Sequence, residues 1–184
     1  RARDLHAAFA DPEIAAVLTS VGGDDQLKVL RHLNPEVFVA HPKPFLGYSD
    51  ATNLLHYLWG LGLVGYHGGA VMVQLGRAGA MHPLTRETLR WALFERGEHE
   101  LVPPQAWTDV DRDWADPRAL ETEPDLDCAT PWVWHGPARR VCGPSWGGCL
   151  EIVDFQLRTG RWMRPDTEYD GAVLFRVTDE PVMK

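Results

Sequence analysis

Gly47-Tyr48-Ser49-Asp50-Ala51-Thr52 is the stretch whose reading decides the fold. A serine set between an extended segment and a helix, with a small residue two places before it and another two places after, has the form of a nucleophile elbow. The turn is tight enough that larger side chains at 47 and 51 would meet the neighbouring backbone. The helix that follows aims its unpaired N–H groups at the serine, so the amide of Asp50 can help hold a developing oxyanion. The same position also suits a serine acting as a helix N-cap, which is the commoner use. These six residues leave both readings open.

The surrounding chain supplies the rest of the fold class. Upstream, Ala15 to Val21 is a short apolar run suited to a buried parallel strand, and it runs into Gly22-Gly23-Asp24-Asp25 and the helical pattern Leu27, Leu30, Leu33. Ala2 to Phe9 reads as a helix closed at Asp11-Pro12. Val37 to Ala40 is expected as a second strand. Beyond the elbow a helix runs from about Asp50 to Trp59, and Leu63 to Tyr66 is expected as a third strand ending at His67-Gly68-Gly69. Thr85 is expected to cap a helix reaching about Arg96. Strand, turn and helix in alternation predict an α/β fold, a parallel sheet with flanking helices. The Gly22-Gly23 turn lets backbone approach a ligand, although it matches neither GxGxxG nor a P-loop.

Composition narrows the class of partner. The 184 residues carry a formal net charge of -8, with 18 basic against 26 acidic side chains and no basic cluster. A nucleic-acid polymer is therefore not expected as a partner. The most apolar stretch, Leu54 to Val73, is broken by His56, His67 and several glycines, which argues against a membrane span. No charged-then-apolar leader opens the chain, which begins with Arg1, so it is expected to open within a longer protein or after processing. Cys128, Cys142 and Cys149 have no CxxC spacing, so neither a disulfide framework nor a metal site is expected, and a cytoplasmic setting fits. From Glu98 to Thr130 the texture turns to proline, acid and tryptophan, with Trp107 and Trp114 prominent. The expected organisation is a nucleophile-bearing domain over residues 1–97, an excursion over 98–130, and the beginning of a strand-rich domain over 131–184. Trp132-Val133-Trp134 and Gly171 to Val177 read as strand-like, with a short amphipathic segment at Leu150 to Leu157.

Taken in order, Val21-Gly22-Gly23-Asp24-Asp25, Pro42 to Thr52, Tyr66-His67-Gly68-Gly69 and Trp146-Gly147-Gly148-Cys149-Leu150-Glu151 resemble the LD-carboxypeptidase serine peptidases. The Trp107-Thr108-Asp109 to Asp113-Trp114 insertion is closest in kind to the microcin-C immunity branch. The resemblance implies a Ser-Glu-His triad with Ser49 as nucleophile and no cofactor. It also implies an oxyanion hole made by the amides of Gly23 and Asp50. The implied substrates are murein peptides with an L,D linkage, or a peptide or amino acid joined to a modified adenylate. Trp107 and Trp114 could stack on a nucleobase, or simply anchor the excursion.

Three positions depart from that pattern. The family's glutamate falls at Val177, which can neither accept a histidine N–H nor stabilise an imidazolium. Glu180 is about 10 Å further along an extended chain. Cys149 stands where asparagine is usual, and the family's catalytic histidine is expected beyond Lys184. His56, two helical turns and about 10 Å from Ser49, is too far to serve as base. His67 ends a neighbouring strand, while His41, His82, His99 and His135 read as turn or exposed residues. The parent protein is thus expected to be a serine-type hydrolase of small peptides or peptidyl-nucleotides, with this chain alone inactive, or else a silent relative that binds and sequesters such a ligand. Uncovered sheet edges would favour a homodimer or other self-association.

Overall fold

The computed structural model describes residues 1–110, 113 and 115–178. In chain order its regular elements are α1 (Ala2–Ala10), β1 (Val17–Leu18), α2 (Gln26–Leu30), α3 (Pro35–Ala40), β2 (Phe45–Gly47), a 3-10 turn (Ser49–Ala51) and α4 (Thr52–Gly60). They continue through β3 (Tyr66–His67), α5 (Pro83–Phe94), β4 (Ala106–Trp107), β5 (Asp127–Cys128), β6 (Ser145–Cys149), α6 (Leu150–Thr159) and β7 (Val173–Val177). The chain divides into two compact units, Arg1–Ala70 with Arg140–Lys184, and Val71–Arg139.

The first unit is α/β, with a parallel sheet and flanking helices. Its sheet has the order β1-β2-β3, with Val17 opposite Phe45, Leu46 opposite Tyr66 and Gly47 opposite His67. A second parallel pair joins β6 to β7. Phe9, Leu30, Phe38, Phe45, Leu54 and Leu58 form the core. Helix α4 is buried on more than its apolar face, because Thr52, Asn53 and His56 are buried along with its leucines. Parallel strands covered on both faces read as apolar runs, and β2 is buried at all three positions.

The middle strand is not the one expected. Val37 to Ala40 lies in helix α3, and Phe45–Gly47 takes the central place in the sheet. Two local features decide this. Asn34 caps the helix by accepting the Glu36 N–H at 3.1 Å, and Pro35 fills the first helical position, where its missing N–H costs nothing. Phe38 then packs edge-on against Phe9, with ring centroids 4.6 Å apart. Cap and core contact together outweigh the β-branched preference of Val37 and Val39.

The third strand starts later than expected, and its cause is the end of α4. Gly62 adopts φ 78°, and Gly62 N–H and Leu63 N–H return to Trp59 and Leu58 carbonyls. That is a Schellman closure, and it commits Leu63 to the helix end. Helix α5 begins at Pro83 with His82 in the capping place, so Thr85 lies inside it. Trp132-Val133-Trp134 forms no strand and its residues are exposed.

The second unit has little core. Ala78 is its one fully buried apolar residue among those described. Its antiparallel pair sets Ala106 opposite Cys128 and Trp107 opposite Asp127. Among the described residues no helix is long and apolar enough to cross a membrane.

The helical assignment of residues 35–40 is open to a direct check by urea denaturation. Asn34→Ala should cost about 1 kcal/mol through the lost cap, and Phe38→Ala about 3–5 kcal/mol through the cavity. Asn34→Ala with unchanged stability would contradict the capped helix.

Candidate active site

Ser49 has φ 53°, a left-handed conformation that only one other described non-glycine residue shares. Such a conformation costs a residue with a side chain about 1–2 kcal/mol, so the surroundings must impose it. They do so by crowding. A Cβ added to Gly47 would lie 2.6 Å from Ala51 Cβ and 2.8 Å from Thr19 Cγ2. Ala51 N–H closes the turn onto the Tyr48 carbonyl at 3.0 Å. Tyr48 holds the capping place of the 3-10 turn and Ala51 that of α4. Ser49 is therefore not a helix N-cap, and its backbone is that of an elbow.

The diglycine turn lies directly against the elbow. A Cβ at Gly22 would stand 3.0 Å from Ser49 Cβ and 3.1 Å from Ser49 Oγ, and one at Gly23 would stand 3.3 Å from Asp50 Oδ2. The buried Asp50 carboxylate fixes that approach by accepting the Gln26 N–H at 2.9 Å, at the first residue of α2. Ser49, Gly23 and Asp50 are thus brought together at the C-terminal edge of the parallel sheet, where open α/β sheets bind ligands.

β6 closes on the same region. Gly147 and Gly148 have φ 129° and 143°. A Cβ at Gly147 would overlap the Phe175 carbonyl oxygen, and one at Gly148 would lie 2.7 Å from Thr52 Oγ1 and 3.2 Å from His67 Cδ2. The Cys149 N–H donates to Thr52 Oγ1 at 3.1 Å. Its thiol lies 3.0 Å from Glu151 Oε2, and burial, with that carboxylate beside it, pushes the thiol up to about 11. Cys149 is therefore a protonated, inert thiol at neutral pH. Val177 pairs with Cys149 in the β6–β7 ladder. Among the described residues, a carboxylate near that ladder end is Glu151, to which sequence reading gives no role. Glu151 Oε1 accepts from Thr178 Oγ1 at 2.7 Å.

Sequence reading also missed a buried polar group behind the elbow. Asn53 and His56 on α4 and Gln156 on α6 are all buried. Polar residues at core positions of two helices were the available signal. His56 bonds Gln156 and Gly147 rather than pointing at Ser49. Trp107 is half-exposed on β4, in the other compact unit. Trp114 and Glu180 lie outside the described residues. Among the described residues no cluster of His, Cys, Asp and Glu could hold a metal ion.

A serine in a left-handed turn at the edge of a parallel sheet, faced by a glycine pair and followed by a helix, defines an α/β protein of the nucleophile-elbow class. Residues 1–68 match the family described as LD-carboxypeptidase N-terminal domain. It is 29% identical over 159 residues to a putative carboxypeptidase of Vibrio cholerae, covering 83% of this chain and 45% of the relative. It is 36% identical over 110 residues to the putative carboxypeptidase YocD of Bacillus subtilis, covering 59% and 33%. It is 27% identical over 123 residues to the microcin C7 self-immunity protein MccF of Escherichia coli, covering 65% and 36%. The chain thus spans less than half the length of these relatives. Among solved structures, MccF in complex with glutamyl sulfamoyl guanosine superposes with a TM-score of 0.79 at 25% identity, over 97% of this chain and 52% of that one. An MccF-like protein from Bacillus anthracis gives 0.80 at 26%, over 96% and 50%.

The state of Cys149 makes a prediction of its own. With iodoacetamide at mildly alkaline pH the exposed Cys128 and Cys142 should alkylate readily and Cys149 slowly, its rate climbing with pH toward about 11. Peptide mapping of the alkylated protein reads this out. Fast alkylation of Cys149 near neutrality would contradict the buried, acid-paired thiol.

Proposed function

We propose that Ser49 is the nucleophile of a serine-type hydrolase with LD-carboxypeptidase chemistry, and that the amides of Gly23 and Asp50 form its oxyanion hole. The observation that carries this reading is the left-handed seat of Ser49 directly against Gly22. In the reaction, Ser49 Oγ attacks a carbonyl carbon while its proton passes to a base. The carbonyl oxygen becomes an oxyanion held by the two amides, and collapse expels the leaving group and leaves an acyl-serine for water to hydrolyse. The substrate class is a small peptide or a peptide joined to a nucleotide. The family match over residues 1–68 supports the former, and the sulfamoyl guanosine and adenosine conjugates in complex with MccF support the latter.

Activity is expected to be weak. Val177 gives no carboxylate to orient a base, and His56 is committed to Gln156 and Gly147. An oxyanion hole without its triad retains about 10³-fold catalysis over water, orders of magnitude below a complete site. Val177 equally favours a second reading, in which the chain binds and sequesters the same ligand class without turning it over. A fluorophosphonate probe separates the two, because it labels only an activated hydroxyl. The expected result is slow labelling that Ser49→Ala abolishes. Wild-type protein that binds a peptidyl-nucleotide but never labels supports sequestration. Efficient turnover lost in Ser49→Ala would overturn the weak-activity reading and direct attention to His67, which pairs in register with Gly47.

A further inference from the structure

One run of close polar contacts crosses the first unit behind the elbow. Asp50 Oδ2 accepts the Gln26 N–H, and Asp50 Oδ1 accepts from Asn53 Nδ2, both at 2.9 Å. The same Asn53 amino group reaches the Asp50 carbonyl at 3.0 Å. Asn53 Oδ1 accepts from Gln156 Nε2 at 2.9 Å. Gln156 Oε1 meets His56 Nδ1 at 2.6 Å, and His56 Nε2 lies 2.9 Å from the Gly147 carbonyl.

The direction of this run is forced from the Asp50 end. A carboxylate and a backbone carbonyl only accept, so Asn53 must turn its amino group to Asp50. That leaves Asn53 Oδ1 for Gln156, which must donate Nε2, and it leaves Gln156 Oε1 for the imidazole. Nδ1 of His56 must then carry a proton. Flipping either amide would set two oxygens against each other in a buried site, at the cost of an unsatisfied group.

We propose that the Asp50 carboxylate imposes this direction and holds neutral His56 in its Nδ1–H form, and that Asn53 and Gln156 are positioning residues for the Asp50 amide. The second half rests on the proposed oxyanion role of that amide. Asn53 grips the side chain of Asp50 and also its carbonyl, which lies in the peptide unit that follows, so it restrains Asp50 from two sides and through Cα the preceding unit that carries the Asp50 N–H. Gln156 in turn fixes Asn53 from α6, a hundred residues away in the chain. At the far end, β6 sets the Trp146 ring and the Gly147 carbonyl on the imidazole, and α6 sets Gln156 there. No charged side chain among the described residues bears on it. Burial pulls His56 below the ordinary histidine value, against the pull of its two hydrogen bonds. Neutral His56 therefore turns a lone pair toward Gly147, and acidification adds the proton that completes that bond.

The test combines a spectroscopic and a chemical readout. Ring ¹⁵N shifts of His56 at neutral pH should show Nδ1–H in the wild type. Gln156→Leu removes the acceptor and should move the proton to Nε2, where it donates to Gly147. Gln156→Glu is nearly isosteric and keeps that acceptor, but it cannot donate to Asn53. Both variants should slow fluorophosphonate labelling of Ser49 by about tenfold, the worth of one buried hydrogen bond. A role in packing alone would leave Gln156→Glu at the wild-type rate, and that result would overturn the positioning role. An Nε2–H His56 in the wild type would overturn the forced direction. A wild type that never labels would overturn the proposed function and the positioning role with it, while the ring shifts still decide the direction of the run.

Discussion

The hydrogen bond from the Gln26 amide to the buried Asp50 carboxylate ties together two segments that are far apart in sequence and carry opposite halves of the proposed site. On one side is the turn that bears Gly22 and Gly23, on the other the elbow that bears Ser49. Nothing in the β1–β2 ladder itself fixes how closely these two loops approach, because the ladder ends at Leu18 and Leu46. The carboxylate sets that distance, and the bare Cα atoms of the glycines allow it. Charge-assisted bonds of this kind are stronger than neutral ones, and burial shields this one from competing water. The strain in Ser49 is sustainable only on such a support.

Much of this was legible in the sequence, and the reasons are local. Small residues at 47 and 51 around a serine mark a tight turn, and the structure shows the contacts that forbid anything larger. Glycine pairs mark where backbone meets backbone. The misreading of residues 37–40 came from weighing a four-residue apolar run by its β-branched content alone. Asn34-Pro35 just ahead of it was the overriding signal, and the burial of Phe38 against Phe9 could not be seen from sequence. The late start of β3 was likewise written in Gly62, whose positive φ closes α4 and takes Leu63 out of the strand.

What sequence could not show is the polar layer between α4, α6 and β6. Asn53, His56 and Gln156 become a group only when the fold brings segments about a hundred positions apart into contact. The same holds for Glu151, whose carboxylate meets Thr178 and the Cys149 thiol near the end of the β6–β7 ladder. Val177 shows the limit of reasoning from a motif. The resemblance leads one to expect a carboxylate there, and the structure shows Val177 paired with Cys149, whose thiol contacts Glu151. The elbow and its glycine loop meet in the arrangement that the proposed oxyanion hole requires.

The proposed oxyanion hole requires the Gly23 and Asp50 amides to converge on one point beside Ser49 Oγ. A crystal structure of the chain reacted with a fluorophosphonate measures this directly, since the phosphoryl oxygen occupies the place of the tetrahedral oxyanion. The account predicts that oxygen within about 3.1 Å of both amide nitrogens. A phosphoryl oxygen turned to solvent, or a Gly23 amide directed away from it, would contradict the account.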